Sequence, residues 1–138
     1  MESKKATSFQ ISPVKSQFLD EIPVYFIEVR GEENFLPPFD FIIIKNFYTH
    51  TVNIVQFAEE KWKCCLELKL MTDPDCDEEA EKYVVIHRKQ LEENGYLQDK
   101  AEVLRFYLVQ DSTLWNSFSI KEIKFLTDEA AEGNKLQI

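Results

Sequence analysis

Only three glycines occur in 138 residues, Gly31, Gly95 and Gly133, and they stand too far apart to form a loop that cradles phosphate. The usual nucleotide-binding fingerprints are thereby excluded, because they need closely spaced glycines to let the backbone approach a phosphate. Histidine is scarcer still. His50 and His87 have no His-x-Glu or His-x-x-x-His neighbour, so no zinc set assembles from a local motif. The three cysteines, Cys64, Cys65 and Cys76, contain no C-x-x-C spacing, and their odd number argues against a disulfide framework. Cys64 and Cys65 lie inside an alternating strand pattern rather than on an exposed elbow, which suits a structural role better than nucleophilic catalysis. In a strand one of them points inward as a small hydrophobe and the other outward as a free thiol, a pairing at home in a reducing compartment.

No apolar run approaches the roughly 20 residues that a membrane helix requires, and the opening MESKKATSFQ lacks the apolar core of a signal peptide. A cytoplasmic location is the expectation. Positive charge is also short: 16 Lys and Arg against 25 Asp and Glu give a net charge of −9. At long range this repels nucleic acid and anionic membrane, so neither is expected as a partner. With no nucleophile and base arrangement in view, the chain is not expected to be an enzyme, nor to carry a cofactor or act on a small-molecule substrate.

What the chain does have is apolar and aromatic bulk. A hydrophobic fraction of 44% and eleven phenylalanines supply enough apolar surface to offset the entropy of ordering. The length suits one domain, expected over residues 9–126, with polar tails at 1–8 and 127–138. Pro13 and Pro23 exclude a helix near the start, and Val24 to Val29 reads as a strand. Phe39 to Phe57 holds two β-branched apolar runs around the joint Lys45-Asn46-Phe47-Tyr48-Thr49, and reads as a core hairpin. Trp62, Cys64, Leu66, Leu68 and Leu70 alternate with polar residues, which predicts a half-buried strand with those five inward. Tyr83 to Arg88 reads as a strand, although a short helix within 78–92 fits too, and Asn94-Gly95 marks a turn. Ala101 to Gln110 is apolar on both faces, as in a central strand. Near the end the parity slips between Phe118 and Ile120 on one side and Ile123 and Phe125 on the other, the signature of a β-bulge. A similar slip is expected between Val52 or Ile54 and Phe57. Some seven short strands without long alternating helices predict an all-β fold, an antiparallel β-sandwich or jelly roll.

Two segments stand out as candidate sites. Asp73 to Glu81 carries six carboxylates in nine residues, with Asp73, Asp75 and Asp77 in D-x-D-x-D spacing. Clustered oxygens attract hard cations, yet the calcium-loop pattern needs Gly where Glu78 stands and Glu where Val84 stands. A solvated acidic loop is the simpler reading. In Asp111 to Phe118 the loop carries Leu114 and Trp115 between two strands, where the indole either plugs the end of the sandwich or forms an exposed anchor.

Four segments recur together in one order: Ile43 to Thr49 (IIKNFYT), Lys61 to Leu66 (KWKCCL), Leu70 to Pro74 with its acidic continuation to Val84, and Ser112 to Phe118 leading to Glu122. In these the chain resembles the nicolin family. The resemblance covers most of the chain and implies a non-catalytic interaction or scaffold subunit of a tubulin polyglutamylase complex, working with protein partner subunits at the cytoskeleton or cilium base, with the nucleus as a further location. It also implies a galactose-binding-domain-like jelly roll, as in the small jelly-roll subunit of intraflagellar transport. Nicolins continue past the last strand, and functions carried by that extension are not implied here. A net charge of −9 is poorly suited to acidic tubulin tails and better suited to basic partner subunits. Phe47, Tyr48 and Trp115 are then the candidate interface anchors. The alternative is a calcium-dependent or small-ligand-binding jelly roll that uses Asp73, Asp75 and Asp77.

Overall fold

The computed structural model describes residues 8–128. The expected tails therefore lie outside the described residues, apart from Ser8, Thr127 and Asp128. Nine strands and one short helix occur in the described part: β1 (Phe9–Ile11), β2 (Lys15–Leu19), β3 (Ile22–Gly31), β4 (Phe41–Phe47), β5 (Thr51–Ala58), β6 (Lys61–Lys69), β7 (Tyr83–His87), α1 (Arg88–Glu92), β8 (Ala101–Val109) and β9 (Ser119–Leu126). All pairings are antiparallel. One sheet runs β1-β3-β8-β5-β6, with β2 also on β3, and the other runs β7-β4-β9. Ile27, Val29, Val52, Ile54, Leu104 and Phe106 of the large sheet meet Ile42, Ile44 and Ile86 of the small one in a single core. The all-β antiparallel sandwich is thus the architecture, with one short helix inside the segment that admitted it.

The stretch Phe39 to Phe57 is not a hairpin. β4 pairs with β7 and β9, whereas β5 pairs with β6 and β8, so the joint between them carries the chain from one sheet to the other. Both strands nevertheless show strict alternation, because each lies at the centre of its local sheet and turns one face to the shared core. β8 sits between β3 and β5, as its two-sided apolar pattern requires.

The phase of β6 also differs from expectation. Val55 pairs with Cys64 and Ile54 with Leu66, leaving Cys65 as the extra residue of a bulge. The irregularity lies in β6, and β5 keeps its parity through Phe57. Cys65 therefore points into the core, while Trp62 and Cys64 face outward. Outside, the guanidinium of Arg105 lies 4.5 Å from the rings of both Phe26 and Trp62, so the indole covers a cation rather than filling the interior. Burial pushes the Cys65 thiol up to about 11. The slip near the end of the chain is real: Lys45 pairs with Glu122 and Asn46 with Ile120, which makes Lys121 the bulged residue.

Candidate functional site

One end of the sandwich gathers three connections: the joint after β4, the acidic segment between β6 and β7, and the loop between β8 and β9. The joint is built by Asn46, which is fully buried. Its side chain donates to the Thr49 carbonyl at 2.8 Å and accepts from the Thr49 N–H at 3.1 Å, closing a tight turn. Thr49 Oγ1 donates to the Ser119 carbonyl at 2.9 Å, which anchors that turn to β9. Between them Tyr48 takes a left-handed backbone, φ 60°, a strained choice for an aromatic residue. Its N–H donates to the Ala80 carbonyl at 2.8 Å.

Gln110 couples this joint to the next loop. Its side-chain amide donates to the Tyr48 carbonyl, and its side-chain oxygen accepts the Ser112 N–H at 2.7 Å. Ser112 Oγ then accepts the Leu114 N–H at 3.1 Å, fixing the turn that presents Leu114 and Trp115. The Trp115 ring lies 4.7 Å from Tyr48, which in turn lies 5.0 Å from Phe47. Trp115 Nε1 donates to the Pro74 carbonyl at 2.6 Å, so the indole also pins the acidic segment. Lys121, extruded by the bulge, holds its ammonium 4.3 Å from the Phe47 ring.

The three residues expected as anchors, Phe47, Tyr48 and Trp115, therefore come together in space. Each is half-buried, so Trp115 combines the two roles that its sequence left open: it is tied down through its nitrogen and presents part of its ring. With Leu114, Asn116 and Ser117 they line an open hollow of about 270 Å³. Leu114, at 62% exposure, is its most accessible apolar member. The places of Leu114 at this hollow and of Lys121 over Phe47 were not legible in advance; the loop position hinted at the first, and only the bulge places the second.

Asp73, Asp75 and Asp77 are used differently. Asp73 Oδ1 accepts the Asp75 N–H at 3.0 Å, and the Asp73 and Asp77 carbonyls accept from Cys76 and Ala80 at 3.1 and 3.2 Å. Glu79 accepts the Thr72 N–H at 2.6 Å and the Lys82 ammonium at 3.0 Å, and these donors pull its carboxyl down to about 2. Among the described residues no three His, Cys, Asp or Glu side chains converge as metal ligands. Asp73 and Glu79 thus direct their side chains to hydrogen bonds within or beside the segment, while Trp115 and Tyr48 hold it from outside. Among the described residues, too, no helix is long and apolar enough to cross a membrane.

No protein-family model matches the chain. Over 100 residues it is 33% identical to Nicolin-1 of Mus musculus. The chain is similar to a nicolin. The match covers 64% of this chain and 45% of the mouse protein, so the chain spans less than half the length of that curated relative. Among solved structures, a chain in the crystal structure of reduced XRCC1 bound to the DNA polymerase β catalytic domain superposes with a TM-score of 0.60. The superposition covers 75% of this chain and 73% of that one, at 10% identity, which is a likeness of fold.

Proposed function

We propose that this protein is a non-catalytic interaction subunit of a tubulin-polyglutamylating assembly, acting in the cytoplasm or at the cytoskeleton and docking partner subunits through the Phe47, Tyr48, Leu114 and Trp115 end of its sandwich. The observation that carries this reading is the convergence of those side chains from two connections on one hydrogen-bonded frame, with Leu114 left 62% exposed. Aromatic anchors on a rigid base are the usual energetic centre of a protein interface, because little entropy is lost when the partner settles on them. The likeness to Nicolin-1 supports the choice of assembly.

The charge supports the choice of partner. At −9 the chain is repelled by acidic tubulin tails, and its attraction is for basic subunits of the same assembly. The test is affinity purification of the tagged protein from ciliated cells. Recovery of the glutamate ligase and its companion subunits is the expected result, and their absence from the purified material contradicts the assignment.

A further inference from the structure

The hairpin of β2 and β3 is the most exposed apolar element of the described residues. Every residue of β2 is exposed. β3 meets β8 only from Tyr25 onward, so Ile22, Pro23 and Val24 have β2 as their one strand neighbour and the hairpin runs on beyond the sheet. At its end Phe18 is 70%, Leu19 55% and Ile22 64% exposed. Leu19 pairs with Ile22 and Phe18 with Pro23, and side chains alternate along a strand, so these two pairs lie on opposite faces. A hairpin lying on a core hides one apolar face and shows a polar one. This one shows apolar side chains on both.

We infer that this hairpin is an arm that inserts into an apolar cleft, rimmed by basic residues, on a partner protein. Two apolar faces fit a cleft that grips from both sides better than a flat surface. The basic rim follows from the tip. Asp20 and Glu21 form a two-residue turn with φ 51° and 70°, a geometry that Asn-Gly adopts with the least strain. Glu59 and Glu60 form a similar turn after β5, but there Glu59 accepts the Lys100 ammonium at 2.8 Å. The carboxylates of Asp20 and Glu21 have no such cation among the described residues. Two unpaired carboxylates between exposed apolar residues, on a chain of net charge −9, select a cationic rim and disfavour a second copy of the same chain.

The edge of β2 strengthens the fit. In a two-residue hairpin the pair beside the turn is hydrogen-bonded, so Leu19 and Ile22 bond each other while Phe18 and Ser16 direct their N–H and C=O groups outward. Pro23 has no N–H to offer on the opposite edge. A wall of the cleft lying along β2 therefore meets a backbone edge that no other strand among the described residues takes. The base of the arm touches the loop between β8 and β9, because Tyr25 packs edge-on against Phe118 at 5.6 Å. The inference does not depend on which assembly the partner belongs to.

The test places the photoreactive residue p-benzoylphenylalanine at position 18 of the full chain, irradiates it in an extract of ciliated cells and maps the cross-linked peptide by mass spectrometry. The expected product is one segment of another protein, apolar and flanked by Lys or Arg. Its yield should fall at least tenfold when Asp20→Lys and Glu21→Lys are combined, with the melting temperature unchanged. The pair Asp20→Asn with Glu21→Gly suits the turn and removes its charge, and should give an intermediate yield. Cross-linking to another copy of this chain, no cross-link, or a yield indifferent to charge reversal overturns the inference. The same probe at position 114 reports on the aromatic end separately, so a failure of the arm and a failure of the proposed function are distinguishable.

Discussion

The ring of Trp115 rests 4.7 Å from the ring of Tyr48 while its nitrogen donates to the Pro74 carbonyl at 2.6 Å, so one indole joins all three connections at this end of the sandwich. Trp115→Phe removes the hydrogen bond but keeps a ring, and should cost about 1 kcal/mol. Trp115→Ala also removes the half-buried aromatic surface and should cost about 2 to 3 kcal/mol, less than a fully buried Trp. Urea denaturation followed by far-ultraviolet circular dichroism measures both. Equal costs would mean that the ring contact contributes nothing.

Asn46 sets the turn that offers Tyr48. Its amide makes both of its Thr49 hydrogen bonds in a fully buried site, so Asn46→Ala leaves the Thr49 groups without partners and should cost about 1 to 3 kcal/mol. Tyr48→Asn should behave oppositely. Asn tolerates the left-handed backbone, offsetting part of the lost ring contact by about 1 kcal/mol, so stability should fall little while partner binding falls at least tenfold. Thermal melts alongside binding measurements separate the two effects.

Much of this was legible in the sequence, for identifiable reasons. The two-sided apolar pattern of β8 announced a central strand, and the parity change around Ile120 and Ile123 announced the bulge at Lys121. Phe47, Tyr48 and Trp115 stood out because each lies at a joint between apolar runs. The crossing of β4 and β5 into different sheets was hidden, because alternation reports which face is buried and not which strand lies alongside. Trp62 misled for a related reason: one extra residue at Cys65 reverses the face of everything before it, and an aromatic stacked on Arg105 looks in sequence like an aromatic in the core. The arm was hidden by its turn, where Asp20 and Glu21 replace the Asn-Gly that marks a two-residue hairpin.

Acid should loosen the acidic segment through Glu79. Its carboxyl is held near 2 by the Thr72 N–H and by Lys82, below the ordinary 4.5. A depressed carboxyl stabilises the fold above its ordinary range and loses that contribution as protons bind. Order in the segment should therefore decline as pH falls from about 4.5 towards about 2, read by fluorescence in a Trp62→Phe background, where the remaining indole, Trp115, is bonded to Pro74. Glu79→Gln should abolish this phase of the titration. A Gln variant that keeps it assigns the acid response elsewhere.

The adjacent cysteines should react very differently. Cys64 is exposed, whereas Cys65 is buried with its thiol raised to about 11, and the thiolate is the reactive form. Brief alkylation of the native protein, followed by peptide mapping, should label Cys64 and spare Cys65 until denaturant is added. Equal labelling in the native state would contradict the bulge that turns Cys65 inward.

The proposed interface is tested most directly at Leu114, which is exposed and outside the core. Tagged wild-type and Leu114→Asp proteins, expressed side by side in ciliated cells, are compared for quantitative recovery of tubulin-polyglutamylating subunits. The account predicts at least a tenfold loss of those subunits in the variant, a difference of about 1.4 kcal/mol, at an unchanged melting temperature. Equal recovery by the two proteins would contradict it.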